Sequence, residues 1–206
     1  AAVTALTTSG NYASTHTIAT SSVSGVSGNW AAATAANQNV WIEAMGPYLE
    51  ENYPDMEWAG GSLETATFYG DDDATKSTEQ FNAILTQYPD IAGIIAPTTV
   101  GVLAAAAEKK AKGAAVKVTG LGLPSEMAPY IEDGTVEKVG LWNPIDLGYV
   151  AVYAGVLGKQ GEFDGSVGST FTAGENTYTV VDGGIAYLGD PYTFTTENIA
   201  TFKTIY

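Results

Sequence analysis

The chain has 206 residues, 45% of them hydrophobic, which is enough to fold around a core of its own. Its formal net charge is −15, with 8 lysines and arginines in total, which argues against binding nucleic acid or an anionic membrane surface. The absence of cysteine excludes thiol catalysis, disulfides and cysteine-ligated zinc. No apolar run reaches the length of a membrane span, and we expect any signal peptide to have been removed.

The first part of the chain predicts little regular structure. Residues 1–15 are small and polar, without periodicity, and predict a loose arm. Residues 16–23 alternate and carry β-branched side chains, which predicts a first strand, and residues 24–36 predict a loop rich in Gly, Ser and Ala. A helical pattern starts at Asn37, and Gly46-Pro47 predicts a kink or break within that helix.

From residue 62 onward the pattern alternates between strands and helices. The predicted order is strand 62–70, a helix ending before Pro89, strand 91–97, helix 99–112, strand 116–122, helix 124–134 and strand 135–142. The continuous apolar run at 91–97 is typical of a strand that is covered on both faces. The alternation predicts an α/β fold, with a doubly wound, mostly parallel sheet.

The last third predicts one more helix and a tail of strands. Asn143 as N-cap and Pro144 as first helical residue predict a helix to about Leu157, which is apolar nearly all round and therefore expected to be buried between two layers. Short strands separated by glycine turns are predicted at 168–174, 177–181 and 184–189. The predicted division is an arm at 1–15, a Rossmann-like ligand-binding lobe at 16–143, and the helix with its tail at 144–206.

Several kinds of site find no support in the sequence. His16 is the single histidine, and no nucleophilic Ser motif accompanies it, so a catalytic triad is not indicated. Residues 71–73 are all Asp but lack the spacing and central Gly of a calcium loop, and helix capping is the favoured interpretation. Gly120-Leu121-Gly122 lacks the third glycine of a dinucleotide fingerprint, so these glycines are expected to allow close approach to a ligand or to a neighbouring helix. We expect no catalytic residue, no metal and no cofactor.

Polar residues cluster at three predicted turns, each leading from a strand or a loop into a helix. Open α/β sheets bind their ligands at such turns. Hydroxyls and free N–H groups at such a turn can hold a polar ligand or can simply cap the helix, and both interpretations stay open. Uncharged amides beside an aromatic ring suit sugars, because amides donate and accept hydrogen bonds without demanding charge. The clusters are Asn37-Gln38 near Trp41, Thr98-Thr99, and Trp142-Asn143.

Several longer motifs carry a resemblance to a known family. They are NQNVWIEAM, YGDDDATKSTEQ, YPDIAGIIAPTTVG, VTGLGLPSEM, GLWNPIDLGY and, near the end, TFTTENIATF. From about Asn37 to the C-terminus the chain resembles the C-terminal part of the type I periplasmic sugar-binding proteins of ABC importers, in the branch with the rhamnose-binding and autoinducer-2-binding (LsrB-like) receptors. That family has two Rossmann-like lobes joined by a hinge, with the ligand between them. The resemblance therefore implies one lobe of a periplasmic-binding-protein fold plus a short β-rich tail.

The resemblance also implies which residues face the ligand. Asn37 and Gln38 match positions that read the ligand from the second lobe. The autoinducer-2 receptors have Asp where this chain has Asn37, which places that particular ligand in question. Pro97 and Thr99 match a ligand-contacting strand end. The full set of candidate ligand-binding residues is Asn37, Gln38, Pro97, Thr98, Thr99, Leu123, Pro124, Trp142 and Asn143.

The function that follows is an extracytoplasmic binding module of an ABC importer for a small sugar or an autoinducer-2-like ligand, with an ABC permease as a partner. Residues 1–36 are too short to supply the family's first lobe, so we expect one lobe only. The alternative is an extracellular structural or self-assembling protein that reuses this lobe. An enzyme ranks last, because no catalytic constellation is visible.

The helix that starts at Pro144 raises a question of partners. The resemblance implies that this helix packs into the first lobe in the family. This chain is expected to have one lobe only, yet one face of the helix, here called the α-face, is still apolar and would be an association site if exposed. We expect another copy of the chain, a separate first-lobe chain or the C-terminal strands to cover it. This α-face consists of Tyr149, Val152, Tyr153 and Val156.

Overall fold

The computed structural model of the chain describes residues 25–30 and 32–206. The predicted arm at 1–15, the predicted strand at 16–23 and His16 lie outside the described residues. Within the described ranges, no helix combines the length and the apolarity that crossing a membrane requires.

Strands and helices alternate along the described chain, as predicted. The strands are β1 (Gly25–Trp30), β2 (Glu57–Trp58), β3 (Thr67–Tyr69), β4 (Gly93–Ala96), β5 (Lys117–Gly120), β6 (Val139–Leu141), β7 (Thr170–Ala173), β8 (Asn176–Val181), β9 (Ile185–Ala186) and β10 (Tyr192–Phe194). The helices are α1 (Ala36–Asn52), α2 (Ala74–Gln87), α3 (Thr99–Lys112), α4 (Pro124–Glu132), α5 (Pro144–Gln160) and α6 (Ile199–Phe202).

A parallel sheet forms the centre of the fold, in the order β2-β1-β4-β5. β3 also pairs in parallel with β1, further along that strand than β2 does. One parallel bridge between Leu121 and Gly140 brings β6 beside β5, and β6 pairs antiparallel with β10. β7, β8 and β9 form a separate antiparallel sheet. The predicted fold class, an α/β lobe with a mostly parallel sheet and a β-rich tail, is confirmed.

The core lies between the central sheet and the helices that cover it. Helix α2 contributes Phe81 and Ile84, both fully buried, because apolar residues recur there at helical spacing. They meet Ile94 of β4, Val102 of α3 and other fully buried apolar side chains in one continuous cluster. Burying a side chain of this size stabilises the fold by about 1.5–3 kcal/mol.

The loop predicted at residues 24–36 is wrong over its first half, which forms β1. Neighbouring strands on both edges, and not the side-chain pattern, make this segment a strand. The backbone N–H of Gly28 donates to the carbonyl of Ala66 at 2.9 Å, and the hydroxyl of buried Ser27 donates to the same oxygen at 2.6 Å. Ser27 and Gly28 are buried, where small residues fit, and periodicity alone cannot show that burial.

Of the kink or break predicted at Gly46-Pro47, the break is wrong, because α1 runs from Ala36 to Asn52 with Pro47 inside it, while the kink stays a prediction. Pro47 lies on the exposed side of the helix. The carbonyl of Glu43, which loses its usual N–H partner to the proline, belongs to an exposed residue and can bond water instead.

Most of the predicted strands are shorter in the structure, and two of them lose half their length or more within the lobe. The strand predicted at 62–70 is reduced to β3, because Ser62 and Thr65 close a turn before it. The backbone N–H of Thr65 donates to the Ser62 hydroxyl at 3.2 Å, and the Thr65 hydroxyl donates to the Ser62 carbonyl at 2.9 Å. Such local side-chain bonds offer the backbone an alternative to sheet pairing. The strand predicted at 135–142 is reduced to β6.

Helix α5 begins as predicted but is not buried. The Asn143 side chain accepts from the backbone N–H groups of Ile145 at 3.0 Å and Asp146 at 3.2 Å, which caps the helix. None of its described residues is buried. One side packs on the tail, where Val150, Ala154 and Leu157 meet a small cluster around Phe171 and Tyr178. Most of the α-face lies on the other side and is exposed, with Val152 at 64% and Tyr153 at 38%, while the Tyr149 ring reaches Gly174 in the turn between β7 and β8.

Candidate functional site

The carboxyl ends of β4, β5 and β6 meet at one cleft of about 290 Å³. This volume lies just below the roughly 300–1,000 Å³ range of ligand pockets. The start of α1 closes one side of the cleft. The lining residues are Gln38, Trp41, Pro97, Thr98, Thr99, Leu121, Leu123, Leu141, Trp142 and Pro144.

The structure brings most of the sequence-predicted residues to this cleft: Gln38, Pro97, Thr98, Thr99, Leu123 and Trp142 line it. Pro124 is buried at the start of α4 and is not among the lining residues. Asn143 caps α5, and its amide also donates to the Asp146 carboxylate at 2.6 Å, so for this residue the capping interpretation describes what the side chain does. The side chain of Asn37 lies outside the described part of the structure.

Sequence reasoning missed three of the lining residues, Leu121, Leu141 and Pro144, and named Trp41 as the aromatic ring near Gln38 without including it in the candidate set. Trp41 follows Gln38 by three residues in α1, so both lie on one face of the helix, and that spacing would have justified adding Trp41 to the candidate set. Leu121 lies between the two glycines of the Gly-Leu-Gly motif. Leu141 ends β6, but an apolar residue at a strand end gives no signal of its own.

Two tryptophans form an aromatic wall of the cleft. The ring centroids of Trp41 and Trp142 lie 6.0 Å apart with planes tilted by 54°. Trp41 comes from α1 and Trp142 from the end of β6, so the wall joins two distant parts of the chain. Flat indole rings bury large apolar areas at little conformational cost, which suits the C–H face of a sugar ring.

Thr98 does not use its side chain to cap α3, although it occupies the N-cap position. Its hydroxyl donates instead to the carboxylate of Asp72, in the turn between β3 and α2. Thr98 is a lining residue of the cleft and is 8% exposed, so this bond gives the hydroxyl of a nearly buried residue its partner. The Thr98 hydroxyl therefore does not cap the helix, which was one of the two interpretations left open for this residue.

The three consecutive aspartates act separately. Asp73 caps α2 by accepting from the backbone N–H of Lys76 at 2.7 Å, in agreement with the capping interpretation. Asp71 forms an exposed ion pair with the Lys76 ammonium group. Asp71 and Asp72 both adopt left-handed backbone angles, with φ of 54° and 52°. Among the described residues no group of acidic or histidine side chains could hold a metal ion.

The two glycines of the Gly-Leu-Gly motif serve packing and do not line the cleft. A Cβ atom at Gly120 would lie 1.8 Å from the carbonyl oxygen of Ala96 in the neighbouring strand. A Cβ atom at Gly122 would lie 2.6 Å from Cγ of Met127 in α4. Of the two roles expected for these glycines, close approach to a neighbouring helix describes Gly122, whereas Gly120 approaches a neighbouring strand, which neither role included.

No charged side chain lines the described cleft. The shifted pKa values lie elsewhere: hydrogen bonds from Lys110 and from Thr135 hold the pKa of Asp133 at about 2. Burial lowers the pKa of Lys109 and that of Lys138. A ligand in this cleft meets amide, hydroxyl and apolar groups but no fixed charge, which is the environment of a neutral polar molecule.

The model of a family described as periplasmic binding protein domain matches residues 25–162. The chain belongs to this family. Membership implies an extracytoplasmic location, and it confirms the resemblance to periplasmic sugar-binding proteins.

Three solved structures are similar to this family member. A sugar ABC transporter protein from Actinomyces odontolyticus is 40% identical, with a TM-score of 0.70, over 87% of this chain and 57% of its own. A solute-binding protein from Clostridium phytofermentas with bound L-rhamnose is 37% identical, with a TM-score of 0.80, over 89% of this chain and 60% of its own. LsrB from Clostridium saccharobutylicum in complex with AI-2 is 21% identical, with a TM-score of 0.78, over 88% and 60%, and shares the fold. The chain thus spans less than two thirds of each of these proteins.

Proposed function

We propose that this chain is a ligand-binding lobe of an ABC-importer solute-binding protein, and that its cleft takes a neutral monosaccharide without chemistry on it. The observation that carries the proposal is the convergence of an amide, two hydroxyls and two indoles on one small cleft without charged side chains. The likeness to a relative with bound L-rhamnose supports that sugar as the first ligand to test.

In this proposal the lining residues make different contacts with the sugar. The wall of Trp41 and Trp142 packs against the apolar face of the sugar. Gln38 and Thr99 present an amide and a hydroxyl to the sugar hydroxyls. Pro97, Leu121 and Leu141 exclude water from the floor, which strengthens the polar contacts above them. Asn37, Leu123, Pro124 and Asn143 remain proposed members of the same site or its support.

We expect the isolated 206-residue chain to bind L-rhamnose only weakly, with a dissociation constant of about 1 mM or higher. The described cleft belongs to one sheet edge, and a ligand covered from one side buries too little surface to offset the cost of fixing it. A saturation-transfer NMR titration suits this range. Micromolar binding by a proven monomer would contradict the expectation and would require a second wall from elsewhere in the chain.

Removing the aromatic wall tests the site itself. Trp142→Ala is expected to weaken L-rhamnose binding about tenfold, the factor that 1.4 kcal/mol represents. Tyr187→Ala, which removes a 54% exposed aromatic ring in the tail, is the matched control and should leave the titration unchanged. If the wild-type chain shows no saturable signal, or if both variants weaken it equally, the proposed sugar site is wrong.

We also propose that the α-face contacts another polypeptide in the working protein. The C-terminal strands cover the opposite side of α5, so of the three expected covers a first-lobe partner and a second copy are left. The match covers only 57–60% of the two sugar-transport relatives, whose remaining chain supports a first-lobe partner, with an ABC permease acting on the assembled protein. A self-assembling structural protein is the second candidate, and the same exposed face favours it.

A further inference from the structure

We infer that Asp72, which lies outside the cleft, is a positioning residue that makes Thr98 a hydrogen-bond acceptor toward the ligand. The ligand group seated at Thr98 is then a donor, such as the hydroxyl of a neutral sugar, and not an oxyanion. This inference rests on the proposed function and adds to it which partner donates the hydrogen bond between Thr98 and the ligand.

The hydrogen bond between Thr98 and Asp72 has a defined direction. A threonine hydroxyl carries one proton and two lone pairs, and an ionised carboxylate only accepts. The Thr98 hydroxyl donates to Asp72, so its single proton is committed away from the cleft. The same oxygen belongs to a residue that lines the cleft, and only its lone pairs are left to meet a ligand there.

The position of Asp72 is itself a constrained one. A non-glycine residue with a φ of 52° occupies the sparsely populated left-handed region. Its neighbours hold other partners: Asp71 pairs with Lys76, and Asp73 caps α2. Of these three carboxylates, Asp72 is the one bonded to a residue of the cleft.

This arrangement discriminates between ligand classes. A phosphate or a carboxylate offers only acceptors, which would face the lone pairs of Thr98. No cationic side chain lines the described cleft to offset that repulsion. A neutral polyol can turn a hydroxyl proton toward Thr98. The site therefore selects a sugar over the acid made by oxidising it.

The first part of the test needs no ligand. Asp72→Gly and Asp71→Gly both remove a left-handed non-glycine residue, so they share the relief of backbone strain. Thermal unfolding should show that Asp72→Gly lowers Tm relative to Asp71→Gly in the native background, because the nearly buried Thr98 hydroxyl loses its partner. In the Thr98→Val background this extra loss at Asp72 should disappear, so that only the exposed ion pair of Asp71 with Lys76 still separates the two variants. The same Tm difference in both backgrounds would overturn the inference.

The second part titrates L-rhamnose and L-rhamnonate, its acid, against the same variants by saturation-transfer NMR. Wild type and Asp71→Gly should bind the sugar and discriminate against the acid. Asp72→Gly should weaken sugar binding about fivefold and narrow the discrimination, because the released hydroxyl can then donate to the acid. Asp72→Asn keeps an accepting oxygen, so its sugar affinity and its discrimination against the acid should lie between those of wild type and Asp72→Gly.

The outcomes separate the two proposals. If the sugar binds wild type but Asp72→Gly leaves both affinities unchanged, the polarity assigned to Thr98 is wrong and the sugar site stands. If wild type binds neither compound, the proposed function and the inference fail together. A preference of wild type for the acid overturns the inference directly.

Discussion

Replacing Gly120 with Ala is expected to lower the free energy of unfolding by at least about 3 kcal/mol. A variant that is already unfolded without denaturant would agree with this expectation. The added Cβ atom would lie 1.8 Å from the carbonyl oxygen of Ala96 and 2.5 Å from its carbonyl carbon. Both atoms belong to backbone that pairs β4 with β5, so neither can rotate away. Because Pro97 and Thr98 follow Ala96 directly, the same shift would displace the cleft lining.

Gly113→Ala is the matched control. Gly113 ends α3 with a φ of 62°, and nothing lies within 4 Å of the position of its missing Cβ atom. Alanine there suffers the left-handed backbone strain alone, about 1 kcal/mol. Urea unfolding of the two variants measures both losses. Equal losses would mean that the close approach of β5 to Ala96 does not constrain residue 120.

Placing Asp at Val152 is expected to abolish association between copies of the isolated chain while leaving its own stability unchanged within about 0.5 kcal/mol. Val152 is 64% exposed and lies on the α-face beside Tyr149 and Tyr153. In a solution of the isolated 206-residue chain alone, we expect two copies to cover this face for each other. Burying one valine is worth about 1.5 kcal/mol, and a symmetric pair counts it twice, so association should weaken about 100-fold or more.

Val150 provides the matched control, because it is a valine on the other side of the same helix. It packs against the cluster of Phe171 and Tyr178. Val150→Asp should therefore lower the free energy of unfolding by about 2 kcal/mol, because a charge would be placed against an apolar cluster. Sedimentation and thermal unfolding distinguish the two variants. A wild-type chain that is monomeric, with mass and Tm unchanged by Val152→Asp, would contradict the association.

Sequence signals near a helix end were enough to predict the helix where its capping residues lie within the segment. Helix α3 begins at Thr99 and ends at Lys112 as predicted, since a polar residue precedes it and Gly113 follows it. The cap of Asn143 on α5 was predictable for the same reason. The alternation of elements was enough for the fold class.

Long-range pairing was beyond the reach of local patterns. β1 forms because strands from residues 57–58, 67–69 and 93–96 lie beside it, and its own small residues give no strand signal. The apolar surface of α5 indicated burial, but a pattern cannot name the partner that provides it. In the cleft, the strand-end rule located Pro97, Thr98 and Trp142, while the bond from Thr98 to Asp72 joins residues 26 positions apart and left no mark in either local motif.

The antiparallel pairing of β6 with β10 limits how the tail can move. The chain leaves β6 after Leu141 and returns at Tyr192 in β10, and these two residues are partners in the β6–β10 ladder. A body tethered by two adjacent crossings can rock about the line that joins them, but it cannot swivel as a body on a single tether can. That line passes beside Trp142, so the wall of the cleft lies at the pivot, where displacement is least. Rocking of α5 and its small sheet would therefore sweep the far end of the α-face through the largest arc.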